Sequence, residues 1–205
     1  MSPCPALPGS AFAGRSVVVK TVPASEVWRR IYETRFPDPL GWNFGLNRFS
    51  DPTGAAFGVI YLGASAKVAF VATLLRDRAD GRGEDFLLDL AEIEKRTPAS
   101  IRVTQPLRLV NLTDDGRLRM GVPSDVTGAR DQTLARVWSA AFHAHDEQPD
   151  GIYYLSRLNG QPCIALYDRA LAKLQATATP RLIDCEAELA QILDDLEIAI
   201  TPMAS

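Results

Sequence analysis

The chain has 205 residues, with 22 Lys plus Arg against 25 Asp plus Glu and a formal net charge of −3. That is the size of one domain, and the slightly acidic balance leaves no basic excess for gripping a nucleic-acid backbone. Apolar types at 46% and charged types at 23% fit an ordinary globular protein and exclude a disordered one. No run approaches the roughly 18 apolar residues that a membrane span requires. The Pro-, Ala- and Gly-rich start, Met1 to Gly14, has no early Lys or Arg and no long apolar core. Residues 1–20 therefore read as a flexible arm rather than a secretory signal, and residues 21–205 as a single domain. Cys4, Cys163 and Cys185 are an odd number at unrelated spacings. They speak against a disulfide framework or a zinc site and for a reducing cytoplasm.

In chain order, Ser25 precedes a run with Val27, Ile31 and Tyr32 at helical spacing, which predicts a helix over 25–34 ended by Pro37-Asp38-Pro39. Residues 36–57 are dense in Pro, Gly, Asn and Asp and predict a structured loop region. Gly58 to Gly63 is a short apolar run of strand character. Ser65 can cap a helix reaching about Arg76, with Val68, Val71, Ala72 and Leu75 as its inner face. Asp77 to Gly83 follows as a charged loop. Ile101 to Leu112 reads as extended and is interrupted by Pro106. A strong amphipathic helix is predicted over 132–145, carrying Leu134, Val137, Trp138, Ala141 and Phe142 on one stripe. Strands at 152–156 and 163–167 flank Asn159-Gly160, a preferred pair for a tight hairpin turn. A strand near 181–183 and a last helix bearing Leu189, Ile192, Leu193 and Leu196 complete the chain. Scattered helices and short strands without regular βαβ alternation predict a single compact α+β domain.

Local motifs are scarce. There is no Walker phosphate loop, no dinucleotide-binding glycine fingerprint and no His-Glu-x-x-His. His143 and His145 lie two apart at a helix end, so they point apart and suit the helix dipole better than a metal. What remains is a set of polar residues in apolar surroundings. Arg48, in Asn47-Arg48-Phe49-Ser50, is either a surface loop arginine or a planar fork for a phosphate or carboxylate. Tyr61 is either a core tyrosine or a ring that stacks on a flat ligand. Ser156 closes an apolar strand ahead of Arg157, where a hydroxyl either begins a turn or meets a ligand.

Taken together, these stretches resemble the RES domain. The matching pieces are Trp42-Asn43, Asn47 to Pro52, Gly58 to Gly63, Ala69 to Asp77, Asp131 to Arg136, Asp150 to Arg157 and Cys163 to Arg169, best over residues 25–170. The resemblance implies a fold like that of ADP-ribosyltransferases, with small twisted β-sheets and surrounding helices. It also implies a cytoplasmic toxin of a bacterial toxin–antitoxin pair. Such a toxin depletes NAD by hydrolysis or phosphorolysis of its nicotinamide–ribose bond, or transfers ADP-ribose. NAD is then a substrate and no cofactor is needed. The implied protein partner is an antitoxin with an Xre-type helix-turn-helix, and no direct nucleic-acid or membrane contact is implied. Residue by residue, Arg48 matches the arginine that grips the nucleotide phosphates. Tyr61 matches the tyrosine that stacks on nicotinamide, and Ser156 the serine that hydrogen-bonds nicotinamide or its ribose.

One position departs from the family pattern. The family's glutamate falls on Ala72, where an acid on an apolar stripe would be costly without a ligand or donor. Either the residue has been replaced, or the protein is a non-catalytic module that binds an antitoxin-like partner, or another carboxylate such as Asp77 or Glu84 serves. A more generic option is some other α+β nucleotide-binding enzyme. Arg48, as a residue reserved for a ligand, is expected to contribute little to the stability of the empty fold.

Overall fold

A computed structural model of the chain describes residues 7–42, 44–76 and 86–201. The described residues form ten strands: β1 (Val19–Val22), β2 (Val27–Glu33), β3 (Val59–Gly63), β4 (Phe86–Asp89), β5 (Arg96–Val103), β6 (Leu107–Asn111), β7 (Gly151–Leu155), β8 (Pro162–Tyr167), β9 (Leu174–Ala178) and β10 (Ile198–Thr201). The helices are α1 (Ala66–Phe70), which runs on as a π-helical turn Val71–Leu75, α2 (Leu90–Glu94), α3 (Gly116–Met120), α4 (Asp125–Gly128), α5 (Thr133–His143) and α6 (Glu186–Asp195). Eight strands form one sheet in the order β1-β6-β7-β8-β3-β2-β5-β9, and β4 pairs with β10 apart from it. The mixture of short helices and a largely antiparallel sheet is the α+β class that the sequence predicts.

The large sheet is curled. Its neighbours β2 and β3 share a single register pair, Arg29 opposite Gly63. Trp28 on β2 nevertheless meets Tyr153 on β7 edge to face, with ring centroids 6.2 Å apart. Three strand spacings of about 4.8 Å separate these strands along the sheet, so a flat sheet would hold the rings apart. The curl creates a core between the two halves, with Trp28, Ala99 and Ile101 against Ile60, Leu109 and Ile164. On the opposite face α5 seats Trp138 and Phe142 against Val59, Ile152 and Tyr167. A third apolar cluster joins α1, the π turn, α2 and α6 around Phe70, Leu74, Ile93 and Ile192.

Two predicted elements are corrected. The segment expected as a helix over 25–34 is β2, in full antiparallel register with β5 from Val27 opposite Arg102 to Glu33 opposite Arg96. Val27 and Ile31 are four apart, a spacing that shares one face in a helix and in a strand alike. Ser25 does not cap a helix; it takes φ 77° in the turn before β2 and donates its N–H to the Val103 carbonyl. The strand expected near 181–183 is a 3-10 turn, Leu182–Asp184, steadied by Arg181 on Asp184 at 3.0 Å. The strand of that region lies upstream as β9, at the sheet edge.

The arm is not loose throughout. Phe12 is buried and meets Trp138 edge to face at 5.1 Å, and His145 Nε2 contacts the Arg15 carbonyl at 2.8 Å. The burial of one aromatic ring outweighs the arm's Pro and Gly content. Ser65 caps α1 as predicted, accepting the Val68 N–H. Gly63 lets α1 approach closely, since a Cβ there would lie 2.7 Å from the Ala69 nitrogen. The hairpin between β7 and β8 is present, with Gly160 at φ 66°. It is wider than a two-residue turn, because its last pairs are Leu155 opposite Pro162 and the Ser156 N–H on the Gln161 carbonyl. No helix among the described residues is long and apolar enough to cross a membrane.

Candidate active site

The loop ahead of β3 is held by Asp51. Its carboxylate accepts the backbone N–H groups of Thr53, Ala55 and Ala56 at 3.2, 2.8 and 2.7 Å. Burial pushes this carboxyl up, but the Thr53 hydroxyl and the three N–H groups outweigh it and pull it down to about 2. Phe49, wholly buried, is pinned on both sides. Its N–H donates to the Tyr61 hydroxyl at 2.8 Å, and its carbonyl accepts the Ser139 hydroxyl at 2.7 Å. Arg48 is thereby aimed by its neighbour.

The Arg48 guanidinium is buried and donates to the carbonyls of Ala129 at 2.8 Å and Val126 at 3.4 Å. Among the described residues no carboxylate pairs with it. Burial lowers its pKa, and repulsion from Arg157 and, less strongly, Arg76 lowers it further. It is therefore not the surface arginine that the sequence also allowed. Arg76 ends the π turn and donates to Asn47 Oδ1 at 2.6 Å, one residue from Arg48. Arg157 follows Ser156 and reaches the Arg76 carbonyl at 3.4 Å.

Tyr61 stands half-buried on β3. Burial pushes its hydroxyl up to about 12, against the pull of the Phe49 N–H, the Ser50 hydroxyl and the charges of Arg76 and Arg48. Tyr154, on β7, and Cys163, opposite it on β8, are pushed up the same way, the thiol to about 12, with burial the leading cause for each. At neutral pH these three groups are uncharged, so none is a ready anionic nucleophile. Ser156 is buried at the end of β7, and its Oγ accepts the Leu158 N–H at 3.3 Å.

Arg48, Tyr61, Ala72 and Ser156 all line one cleft of about 510 Å³. They reach it from a loop, a strand, a π turn and a strand end that are far apart in sequence. Ala72 is not on the inner apolar stripe. Val71, Leu74 and Leu75 are buried while Ala72 and Thr73 are half-exposed on the cleft wall. The π turn changes the helical register, which 3.6-residue spacing does not anticipate. Asp77 and Glu84, the other candidate carboxylates, lie outside the described residues, as does Asn43.

Sequence reasoning did not assign the rest of the lining. Arg30, Glu33, Glu92 and Arg96 stand on the β2 and β5 side, where Arg96 reaches Glu33 at 3.6 Å and Glu92 at 3.7 Å. Their signal was hidden because Arg30 and Glu33 sit in the segment expected as a helix. Altogether five arginines and two glutamates face the cleft among the described residues, with Tyr61 and Tyr154 between them. This lining suits an anionic ligand with a flat aromatic part. Neither histidine lines it: His143 stacks on Phe57 at 4.2 Å and His145 braces the arm. No group of three or more metal-ligating side chains occurs among the described residues.

Residues 26–188 match the RES domain. The chain is 45% identical to the probable toxin y4kH of Sinorhizobium fredii over 126 residues, which is 62% of this chain and 99% of that protein. In fold it is similar to a chain of the Mycobacterium tuberculosis MbcT–MbcA toxin–antitoxin complex, with a TM-score of 0.56 and 20% identity. That similarity covers 83% of this chain and 92% of the other.

Proposed function

Because the chain belongs to the RES domain family, we propose that it is the toxin half of a toxin–antitoxin pair and that its cleft takes NAD as a substrate. The observation that carries this reading is the meeting of Arg48, Tyr61 and Ser156, with Ala72, in one arginine-rich cleft. Arg48 then holds phosphate oxygens, Tyr61 offers its ring to nicotinamide, and the Ser156 hydroxyl bonds the nicotinamide or its ribose. The C–N bond between ribose and nicotinamide breaks with its electron pair passing to the nicotinamide nitrogen, which loses its positive charge. Water, phosphate or a protein group then bonds to the ribose carbon and gives up a proton. Positive charge builds on the ribose on the way, so orientation and a nearby negative charge speed the reaction more than a strong nucleophile does. The free thiols Cys163 and Cys185 fit a reducing cytoplasm. An Xre-type helix-turn-helix antitoxin is the proposed protein partner.

Ala72 favours a second reading, in which the chain binds such a partner without turning over NAD. Release of nicotinamide from NAD, with and without phosphate, separates the two when the protein is compared with its Ala72→Glu variant. On the enzymatic reading Ala72→Glu releases nicotinamide at least about 100-fold faster, the scale of a preorganised charge at a developing cation. Silence from both proteins at saturating NAD would leave the binding module as the account.

A further inference from the structure

Resting on that reading of the cleft, we propose that Ser139 is a positioning residue: its hydroxyl sets the Phe49 carbonyl and, through it, where the loop presents Arg48 to a ligand. Ser139 lies on α5 and is not among the residues that line the cleft. It is wholly buried, on the face of α5 that also carries Ala135, Trp138 and Phe142. A hydroxyl in such apolar surroundings is costly unless it is bonded. Here it donates to the Phe49 carbonyl at 2.7 Å and lies 3.2 Å from the Tyr167 hydroxyl, which in turn donates to the Ser139 carbonyl at 3.0 Å.

The direction of these bonds follows from their chemistry. A carbonyl can only accept, so the Ser139 proton is committed to Phe49 and the Ser139 oxygen is left to accept from Tyr167. Tyr167 is itself held, wholly buried with Phe57 at 5.2 Å and His143 at 5.0 Å, both edge to face with its ring. On the other side of Phe49, its N–H goes to the Tyr61 hydroxyl. The N–H and the carbonyl of one residue belong to two successive peptide planes. Fixing both leaves Phe49 little freedom in φ and ψ, and so sets the direction in which its neighbour Arg48 leaves the chain. Tyr61 fixes the first plane from inside the cleft, and Ser139 fixes the second from outside it. The two tyrosines stand on paired strands, with Val59 opposite Tyr167 and Tyr61 opposite Ala165. The Arg48 guanidinium is tied in turn to the carbonyls of Val126 and Ala129, just ahead of α5. A shift of α5 against β3 would therefore move Arg48 at both its backbone and its tip. A buried polar network with its members satisfied holds one arrangement of the groups it joins.

Calorimetric titration with ADP-ribose and nicotinamide riboside, on the full chain, Ser139→Ala, Arg48→Ala and the double variant, tests this role without requiring turnover. Ser139→Ala loses at least fivefold in ADP-ribose affinity, while nicotinamide riboside, which has no phosphate for Arg48, changes by less than twofold. With Arg48 already replaced, Ser139→Ala costs less than a further twofold, because the residue it positions is gone. A serine with a merely structural role would lower the melting midpoint without telling the two ligands apart. Backbone amide exchange followed by NMR needs no ligand. The Phe49 amide exchanges at least tenfold faster in Ser139→Ala, while the amides of α5 stay protected. Ser139→Cys, which keeps a weaker donor, falls between the two and takes the place of the alanine variant if that one does not fold. A folded variant that keeps its ADP-ribose affinity, loses both ligands equally, or shows the same loss without Arg48 overturns the proposal. If the parent chain binds no ADP-ribose, the NAD reading fails and the exchange at Phe49 still decides. Faster exchange keeps Ser139 as the residue that sets the loop, and unchanged exchange rejects it.

Discussion

The hydroxyl of Tyr61 accepts the backbone N–H of Phe49 at 2.8 Å, joining the cleft strand β3 to the loop that carries Arg48, one residue from the guanidinium. A ring available to a ligand and the placement of a charge are therefore one structural unit. Tyr61→Phe keeps the ring but leaves a buried N–H without its acceptor. The expected result is a loss of about 1–2 kcal/mol in chemical denaturation, together with weaker ADP-ribose binding as Arg48 loses its alignment. Unchanged stability with unchanged binding would show that the bond neither holds the loop nor aims Arg48.

Arg48 was expected to matter to a ligand and little to the empty fold. Its bonds to Ala129 and Val126 alter that expectation, because they fasten the end of α4 to the cleft. Arg48→Ala should lower stability by about 1–2 kcal/mol, the loss of the charge-assisted bonds being partly offset by relief of repulsion from Arg157 and Arg76. ADP-ribose affinity should fall at least tenfold in the same protein. Melting and titration on one preparation read both effects.

Ala72 lies half-exposed on the cleft wall rather than on the buried stripe, which changes what a glutamate there would cost. The five arginines lining the cleft favour its charged form, and water reaches it. Ala72→Glu should therefore shift the melting midpoint by less than about 3 °C, corresponding to under about 1 kcal/mol for a chain of this size. A much larger drop would place the new side chain among Val71, Leu74 and Leu75.

Asp51 makes the arginine-bearing loop sensitive to acid. Its carboxyl is pulled down to about 2 in the folded protein from an ordinary 3.8. A depressed folded-state value means that the contribution is complete above about pH 4 and is lost as pH falls from 4 towards 2. Asp51→Ala frees three backbone N–H groups and should cost about 1–3 kcal/mol at neutral pH. Urea unfolding at pH 7 and at pH 2.5 should show the gap between parent and variant narrowing at the lower pH. A gap that stays constant would mean that the carboxylate charge is not what holds the loop.

Much of the fold was legible because its signals are local. The stripe of Leu134, Trp138 and Phe142, the Ser65 cap and the apolar runs of β3, β7 and β8 each sit within one element, where spacing speaks for itself. The misread segments fail for equally local reasons. Val27 and Ile31 satisfy two periodicities at once, and only pairing with β5 selects the strand. The short strands β4 and β10 have partners more than 100 residues apart, so neither announces itself alone.

By itself the sequence determined a single α+β domain, most of its longer elements and, through resemblance, the identity of Arg48, Tyr61, Ala72 and Ser156 as one set. Tertiary structure alone decided that these residues share a cleft. It also turned Ala72 onto the cleft wall through a π turn and brought Arg76 and Arg157 beside Arg48. The physical reason is range. Helix periodicity, caps and turns depend on neighbours a few residues away, whereas the curl that sets Trp28 against Tyr153 and the loop that bonds Phe49 to Tyr61 depend on contacts between distant parts of the chain. Charges gathered by such contacts have no signature along the chain, because each arginine is by itself an ordinary polar residue among equally ordinary neighbours.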